Sequence, residues 1–295
     1  MILMVSGRTD IVAFYSKWFL NCYHEGFVDV RNPFNPKLVS RINFDNVDAI
    51  MFCTKNPTPI VKRLKEITKP ILFHVTLTSY GKDIEPNVPD KKEIIESIKE
   101  ISNQIGKENI VIRYDPILIN DKYTVDYHIN AFNKMCSLLD GYINHIIVSF
   151  IDDYKNVRNN IKTLKIKEPT IDDYKKIGTE FSKIATSHHM TVGTCAEEHN
   201  LIEYGFVASE CLSHMAAYKL TGKIFNTQTA RKTKYCKCVE MVDIGAYNSC
   251  KHLCKYCYAN FNEKEIDKNI QKHDPNSSLL LGKLEIGDII KERYK

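Results

Sequence analysis

Short apolar runs recur along the chain with room for a helix between them, and this rhythm restricts the fold more than any other feature. The runs are "MILMVS" (1–6), "AIMFCT" (49–54), "ILFHVTLT" (71–78), "NIVIRYDPIL" (109–118), "HIIVSFI" (145–151) and "HMTVGTC" (189–195). Each is rich in Val, Ile, Phe or Thr, as expected of strands buried on both faces. Between them lie "IVAFYSKWFLNCYHEG", "PDKKEIIESIKEISNQIG", "VDYHINAFNKMCSLLDG" and "IDDYKKIGTEFSKIATSHH". The second starts at a cap residue, Asp90, and closes on Gly106, the start and stop signals of a helix. Buried strands alternating with helices predict an α/β fold with a parallel sheet. A seventh strand is expected in "CVEMVDIGAY" (238–247). That count suits a partial or full (β/α) barrel in a single domain over 1–295. Its cysteine-rich part is 195–260, and its tail, 261–295, is expected either to pack as a helix and hairpin or to be partly disordered.

Polar residues gather where these strands end. Ser6, Gly7, Arg8, Thr9 and Asp10 follow the first; Thr54 to Pro57 the second; Thr76 and Thr78 the third. Arg113 to Pro116, Ser149 and Cys195 to Glu197 occupy the same place on the next three. In a barrel those positions converge on one mouth, where chemistry sits. Taken singly, each could be a cap or a loop hydrogen bond.

The net charge is +5, from 41 basic and 36 acidic residues without a dense basic block. This admits an anionic substrate or nucleic acid but demands neither. No apolar run reaches the roughly 20 residues of a membrane helix, and the start reads as a buried strand rather than a signal peptide. A cytoplasmic location is expected, where disulfides are rare. The ten cysteines are then read as metal ligands where they cluster. Cys22 and Cys136 lie in apolar helical surroundings and read as structural, as does Cys53.

Seven cysteines fall between 195 and 257. Cys250, Cys254 and Cys257 form C-x3-C-x2-C in "YNSCKHLCKYCYAN" (247–260). Zinc normally takes four protein ligands, and His252 is available as the fourth. The alternative is a [4Fe-4S] cluster on three cysteines, which leaves one iron open to a substrate or cofactor. Cys195, Cys211, Cys236 and Cys238 are enough for a second centre, an auxiliary [4Fe-4S] cluster or a tetrahedral zinc.

"CKHLCKYC" resembles the cluster motif of the radical S-adenosylmethionine enzymes, and "YNSCKHLCKYCYAN" is similar to its form in the spore photoproduct lyase-like branch. "VTLTSYGKDIEPNVPDKKEIIESIKEISNQIGKENIVIRYDPIL" (75–118) and "TKNP" (54–57) are similar to barrel segments of that branch. The resemblance implies a radical-type barrel in which the cluster binds and reductively cleaves S-adenosylmethionine, followed by hydrogen abstraction from a substrate. It also implies that Tyr256 packs near the adenine, and that the partners are an electron donor such as flavodoxin or ferredoxin and a nucleotide or nucleic acid substrate. The "RTD" start, "TKNP", "RYDP" and "DIGAYN" before the cysteines further resemble a family known as domain of unknown function 1848. The superfamily carries its cysteine loop after the first strand, whereas here it follows the last. Either the barrel is circularly permuted, with 238–247 beside 1–6, or residues 196–295 form a separate cysteine-rich domain.

S-adenosylmethionine presents an ammonium, a carboxylate and ribose hydroxyls. Arg113 can pair a carboxylate through two hydrogen bonds; Asp10 and Asp115 suit the ammonium or ribose; Ser6, Arg8 and Ser149 are further strand-end candidates. Arg8–Asp10 and Arg113–Asp115 are equally readable as structural ion pairs. His188, His189, Glu197, Glu198 and His199 read as caps or surface residues rather than ligands, given the thiolates available. The rival functions are a zinc- or iron-sulfur-stabilised nucleic-acid-binding module and a [4Fe-4S] electron-transfer protein. No stripe of basic and aromatic residues of the kind such a binding module uses is evident.

Overall fold

The structure is a computed structural model and describes residues 1–152, 157, 162–228 and 236–294. All six apolar runs form strands: β1 (Ile2–Val5), β4 (Ala49–Thr54), β5 (Ile71–Thr76), β6 (Ile110–Ile117), β7 (His145–Phe150) and β8 (Thr191–Thr194). A two-residue strand β9 (Val207–Ala208) and the expected seventh, β10 (Met241–Asp243), complete an eight-stranded sheet in the order β10-β1-β4-β5-β6-β7-β8-β9. Every pair in it is parallel, so all strands end on the same side. β10 and β9 are edges; among the described residues the sheet does not close on itself.

β1 and β10 are neighbours, with Ile2 opposite Met241, Leu3 opposite Val242 and Met4 opposite Asp243. The strand leading to the C-x3-C-x2-C loop therefore belongs to the main sheet and lies beside the first strand of the chain. The arrangement that sets residues 196–295 apart from it is overturned.

The two faces of the sheet are covered differently. Alternate strand residues Leu3, Val5, Ile50, Phe52, Phe73, Val75, Ile112 and Ile146 pack into one large apolar core. Helices α1 (Ile11–Phe14), α2 (Ser16–Glu25), α3 (Thr58–Val61), α4 (Lys91–Ile105), α5 (Val125–Leu138) and α6 (Ile171–Ser187) contribute to it. Phe132 of α5 and Phe181 of α6 stack inside it with ring centroids 3.9 Å apart. On the opposite face Ile2, Met51, Leu72 and Ile147 pack against Cys195, Cys211, Leu212, Cys236, Cys238 and Val239. The later segment, with helix α7 (His214–Thr221), thus clothes with thiols the face that a symmetric α/β sheet would cover with helices.

Local signals explain several boundaries. Asp90 caps α4 by accepting from Lys92 N at 2.8 Å, and Thr170 and Asp173 cap α6 reciprocally. The helix expected over "IVAFYSKWFLNCYHEG" is broken at Tyr15, whose φ and ψ are −134° and 19°. The buried Tyr15 side chain reaches the cysteine loop instead, donating from its hydroxyl to Ser249 O at 2.6 Å. A second sheet joins β2 (Phe27–Arg31), β3 (Leu38–Asn43) and β11 (Ile289–Glu292). β2 and β3 are not among the expected strands, because "FVDVR" and "LVSRIN" are short and mix polar with apolar residues without a strict period of two. The tail packs as helix α8 (Glu263–Gln271) and the single strand β11, which runs parallel to β3, rather than as a hairpin.

Candidate metal centres

The end of β1 and the end of β10 are tied together by Asp243. Its carboxylate accepts from Ser6 Oγ at 2.8 Å, Gly7 N at 2.6 Å, Arg8 Nε at 3.2 Å and Gly245 N at 2.6 Å. Arg8 also donates to the Asp243 carbonyl at 2.8 Å, so its ion pair is with Asp243 and not with Asp10. The approach is so close that a Cβ on Gly245 would sit 1.9 Å from Ser6 Oγ. Asp243 was not among the sequence candidates; only the pairing of β1 with β10 gives it this role.

The loop beyond β10 carries Cys250, Cys254 and Cys257. Cys250 and Cys254 are buried and Cys257 is partly so. The loop is held from several sides: Asn260 Nδ2 donates to Cys250 O at 2.8 Å, Lys255 N to Ile84 O at 3.0 Å, and Asn248 N to Ala259 O at 2.9 Å. Burial pushes the Cys254 thiol up to about 12, and it raises Cys250 and Cys257 as well. Lys55 works against this at Cys254 and Cys257. Buried thiols of this kind ionise only when positive charge is brought to them, as a metal centre does.

Beside them lies a charge cluster around Glu85, which is 1% exposed. Its carboxylate accepts from Lys55 Nζ at 2.8 Å, Thr78 Oγ1 at 2.6 Å, Lys91 Nζ and the Tyr256 hydroxyl. Lys55 also lies over the Tyr256 ring, 5.3 Å from its centroid. Despite burial, the two lysines hold Glu85 well below the usual carboxylate range. Lys55 is kept charged by Glu85, while burial lowers Lys91, because one carboxylate cannot fully offset two ammonium groups.

Asp10 is fully engaged. It caps α1 through Ala13 N and accepts from Thr54 Oγ1 at 2.7 Å, Lys55 N at 2.8 Å and His252 Nε2 at 3.0 Å. The other nitrogen of His252 faces Asn87 O at 3.3 Å. Both His252 nitrogens have protein partners, so it is not placed as a fourth ligand for the three cysteines.

A second thiol group lies on the opposite face of the sheet. The sulfurs of Cys195, Cys211 and Cys238 all lie within 4.8 Å of one another and can coordinate a metal ion. Cys195 follows β8 directly, and its sulfur is 3.2 Å from that of Cys211 and 4.0 Å from that of Cys238. Cys236 is buried in the same apolar cluster, but its sulfur does not join the three within that distance. Arg113 Nη1 donates to Cys211 Sγ at 3.1 Å, and its other nitrogens bind Asp115, which also accepts from Ser149 Oγ. Thiol hydrogen bonds from Cys195 and Cys238, together with the Arg113 charge, bring Cys211 well below the ordinary thiol value. Arg113, Asp115 and Ser149 are therefore gathered around this group, while Ser6, Arg8, Asp10 and Tyr256 lie with the C-x3-C-x2-C loop.

His74 of β5 completes the picture and was not a sequence candidate. It is 0% exposed, and neither ring nitrogen has a hydrogen-bond partner. Burial lowers its pKa to about 3, with the Arg113 charge acting in the same direction and Cys211 opposing it. Away from both groups, an open cavity of about 490 Å³ is lined by Met1, Asp48, Lys223 and Glu240 at the start of β1; it holds none of this chemistry. No helix among the described residues is long and apolar enough to cross a membrane.

A parallel α/β sheet with its strand ends on one side, and buried thiols grouped on one face and beyond one edge, define an α/β protein equipped to hold metal. The chain belongs to the family described as Domain of unknown function (DUF1848), which matches residues 2–259. A comparison with curated proteins finds no match. Among solved structures, a protein provisionally named an alpha-L-fucosidase, from Bacteroides thetaiotaomicron, shares 12% identity. The match covers 76% of this chain and 83% of that one, at a TM-score of 0.28, too low to carry an argument.

Proposed function

We propose that the chain is a radical S-adenosylmethionine enzyme whose [4Fe-4S] cluster is held by Cys250, Cys254 and Cys257, on a circularly permuted barrel of that type. The observation that supports this most is the pairing of β10 with β1. It puts the cysteine loop at the C-terminal end of a parallel strand beside Ser6, Gly7 and Arg8, where α/β enzymes hold their ligands. The donor set also fits. Three cysteines on one short loop, two buried and one partly so, can each bind one iron of such a cluster. With the cluster bound, the chemistry supplied is one-electron reduction of S-adenosylmethionine, the electron coming from a flavodoxin- or ferredoxin-type donor.

The protein residues bind and orient. Tyr256, clamped by Glu85 and Lys55, presents a ring for the adenine. Arg8, held by Asp243, offers charge to the cofactor carboxylate, with Ser6 beside it. Asp10, through His252, fixes the middle of the cysteine loop. Arg113, Asp115 and Ser149 approach from the far side and suit the ribose or the substrate, for which a nucleotide or nucleic acid is the proposed class.

Anaerobic reconstitution with iron and sulfide, followed by optical and EPR spectroscopy and a dithionite-driven assay for 5′-deoxyadenosine, tests this reading. A four-iron signal and 5′-deoxyadenosine are expected, both lost when Cys250, Cys254 and Cys257 are replaced by Ala. A cluster signal without 5′-deoxyadenosine would replace the reading by electron transfer. Zinc at these cysteines would replace it by a metal-stabilised binding module.

A further inference from the structure

The spacing of Cys195, Cys211 and Cys238 points to a different kind of centre from the cluster loop. Around one zinc, thiolates bonded at ~2.3 Å lie about 3.8 Å apart on the edge of a tetrahedron. The observed separations, 3.2 Å and 4.0 Å, bracket that edge, and all three sulfurs fall within 4.8 Å. Three sulfurs this close fit a single ion and are too crowded to reach three separate irons of a cubane.

A tetrahedral ion needs a fourth ligand, and two buried side chains on the same face of the sheet are candidates. Neither lies within 4.8 Å of all three sulfurs, so closure requires one of them to move. Cys236 is buried among apolar groups, an environment in which a thiol is at ease as a small hydrophobe. His74 is not at ease: it is 0% exposed, with both ring nitrogens unpartnered, and buried polar groups are normally satisfied. It lies in the sheet opposite Cys53 and shares its face with Leu72, a member of the same buried cluster as Cys195, Cys211 and Cys238. Charge favours the imidazole as well. A divalent ion on three thiolates and a neutral imidazole carries one net negative charge, whereas four thiolates would leave two. The only cation donating to these sulfurs, among the described residues, is Arg113, and Asp115 already offsets it.

We infer that Cys195, Cys211, Cys238 and His74 form a mononuclear zinc site. Binding displaces the remaining thiol protons to solvent. The site pins the segment carrying Cys211 and Cys238 onto the sheet face beneath Arg113 and Asp115. It is independent of the cluster assigned to Cys250, Cys254 and Cys257.

Zinc-edge X-ray absorption on the intact chain, purified without added metal, tests the assignment, since it is blind to any iron. One zinc per chain is expected, with three sulfurs at about 2.3 Å and one nitrogen at about 2.0–2.1 Å. His74→Ala should lose zinc to a chelator at least tenfold faster, His74→Cys should hold it with a four-sulfur shell, and Cys236→Ala should match the parent. A four-sulfur shell in the parent would overturn the role of His74. Iron in place of zinc, lost on Cys195→Ala, would overturn the mononuclear site itself. If His74→Ala fails to fold, the ligand shell of the parent still decides. Failure here leaves 5′-deoxyadenosine formation untouched, so the two readings fall separately.

Discussion

Replacing Glu85 by Gln keeps its shape and removes its charge, leaving Lys55 and Lys91 without their shared counter-ion. The pair is dry: the Glu85 side chain is 1% exposed and that of Lys55 14%. Breaking a buried pair by removing one partner costs about 3–5 kcal/mol, because the remaining charge is stranded. At an unfolding entropy of roughly 2.1 cal/mol/K per residue, 295 residues give about 0.6 kcal/mol/K. The midpoint should therefore fall by roughly 5–8 °C. The pH dependence has a definite sign. Glu85 is depressed from its ordinary 4.5, so its contribution is complete above the unfolded value and is lost as pH falls through the folded one. Thermal melts of parent and Glu85→Gln should differ by a constant amount from neutral pH down to about 5 and converge below it. A difference under about 2 °C at pH 7, or a gap that narrows as pH rises, would show that the carboxylate is not the buried counter-ion described.

Three further outcomes follow from other parts of the molecule. Glu197 is raised to about 7, chiefly by burial, with Asp152 and Asp115 adding repulsion; its folded state holds a proton that the unfolded chain releases, so stability is lost as pH rises from about 4.5 through 7. Glu197→Gln should flatten that slope in urea midpoints, and an unchanged slope would refute the assignment. Phe132→Ala removes one ring of a fully buried stack and should cost about 3–5 kcal/mol, read by urea unfolding. Asp243→Ala strips the acceptor shared by Ser6, Gly7, Arg8 and Gly245 and should cost about 3 kcal/mol, with hydrogen exchange accelerating across 244–260; unaltered exchange there would mean that the loop is held elsewhere.

The strands and most of the helices were legible because their causes are local. Apolar runs such as "AIMFCT" and "ILFHVTLT" can only be buried strands, and Asp90 and Gly106 mark the ends of α4 by the needs of their own backbone groups. The C-x3-C-x2-C spacing was equally plain, since three thiols within one short loop cannot be far apart. Other features depend on partners distant in the chain. The pairing of β1 with β10 joins residues more than two hundred positions apart, and only that contact makes Asp243 the anchor of Arg8 and makes Gly245 obligatory. Arg113 and Asp115 read equally from the sequence as cofactor ligands or as a structural ion pair; the fold pairs them with each other, and the register of β6 turns Arg113 toward Cys211 on the face opposite the helices. His74 carried no local signal at all, because an imidazole within an apolar strand looks the same whether its nitrogens find partners or not. Periodicity and caps are written in neighbouring residues, but which polar groups meet inside the molecule is decided by strand order and register, and these are properties of the whole fold.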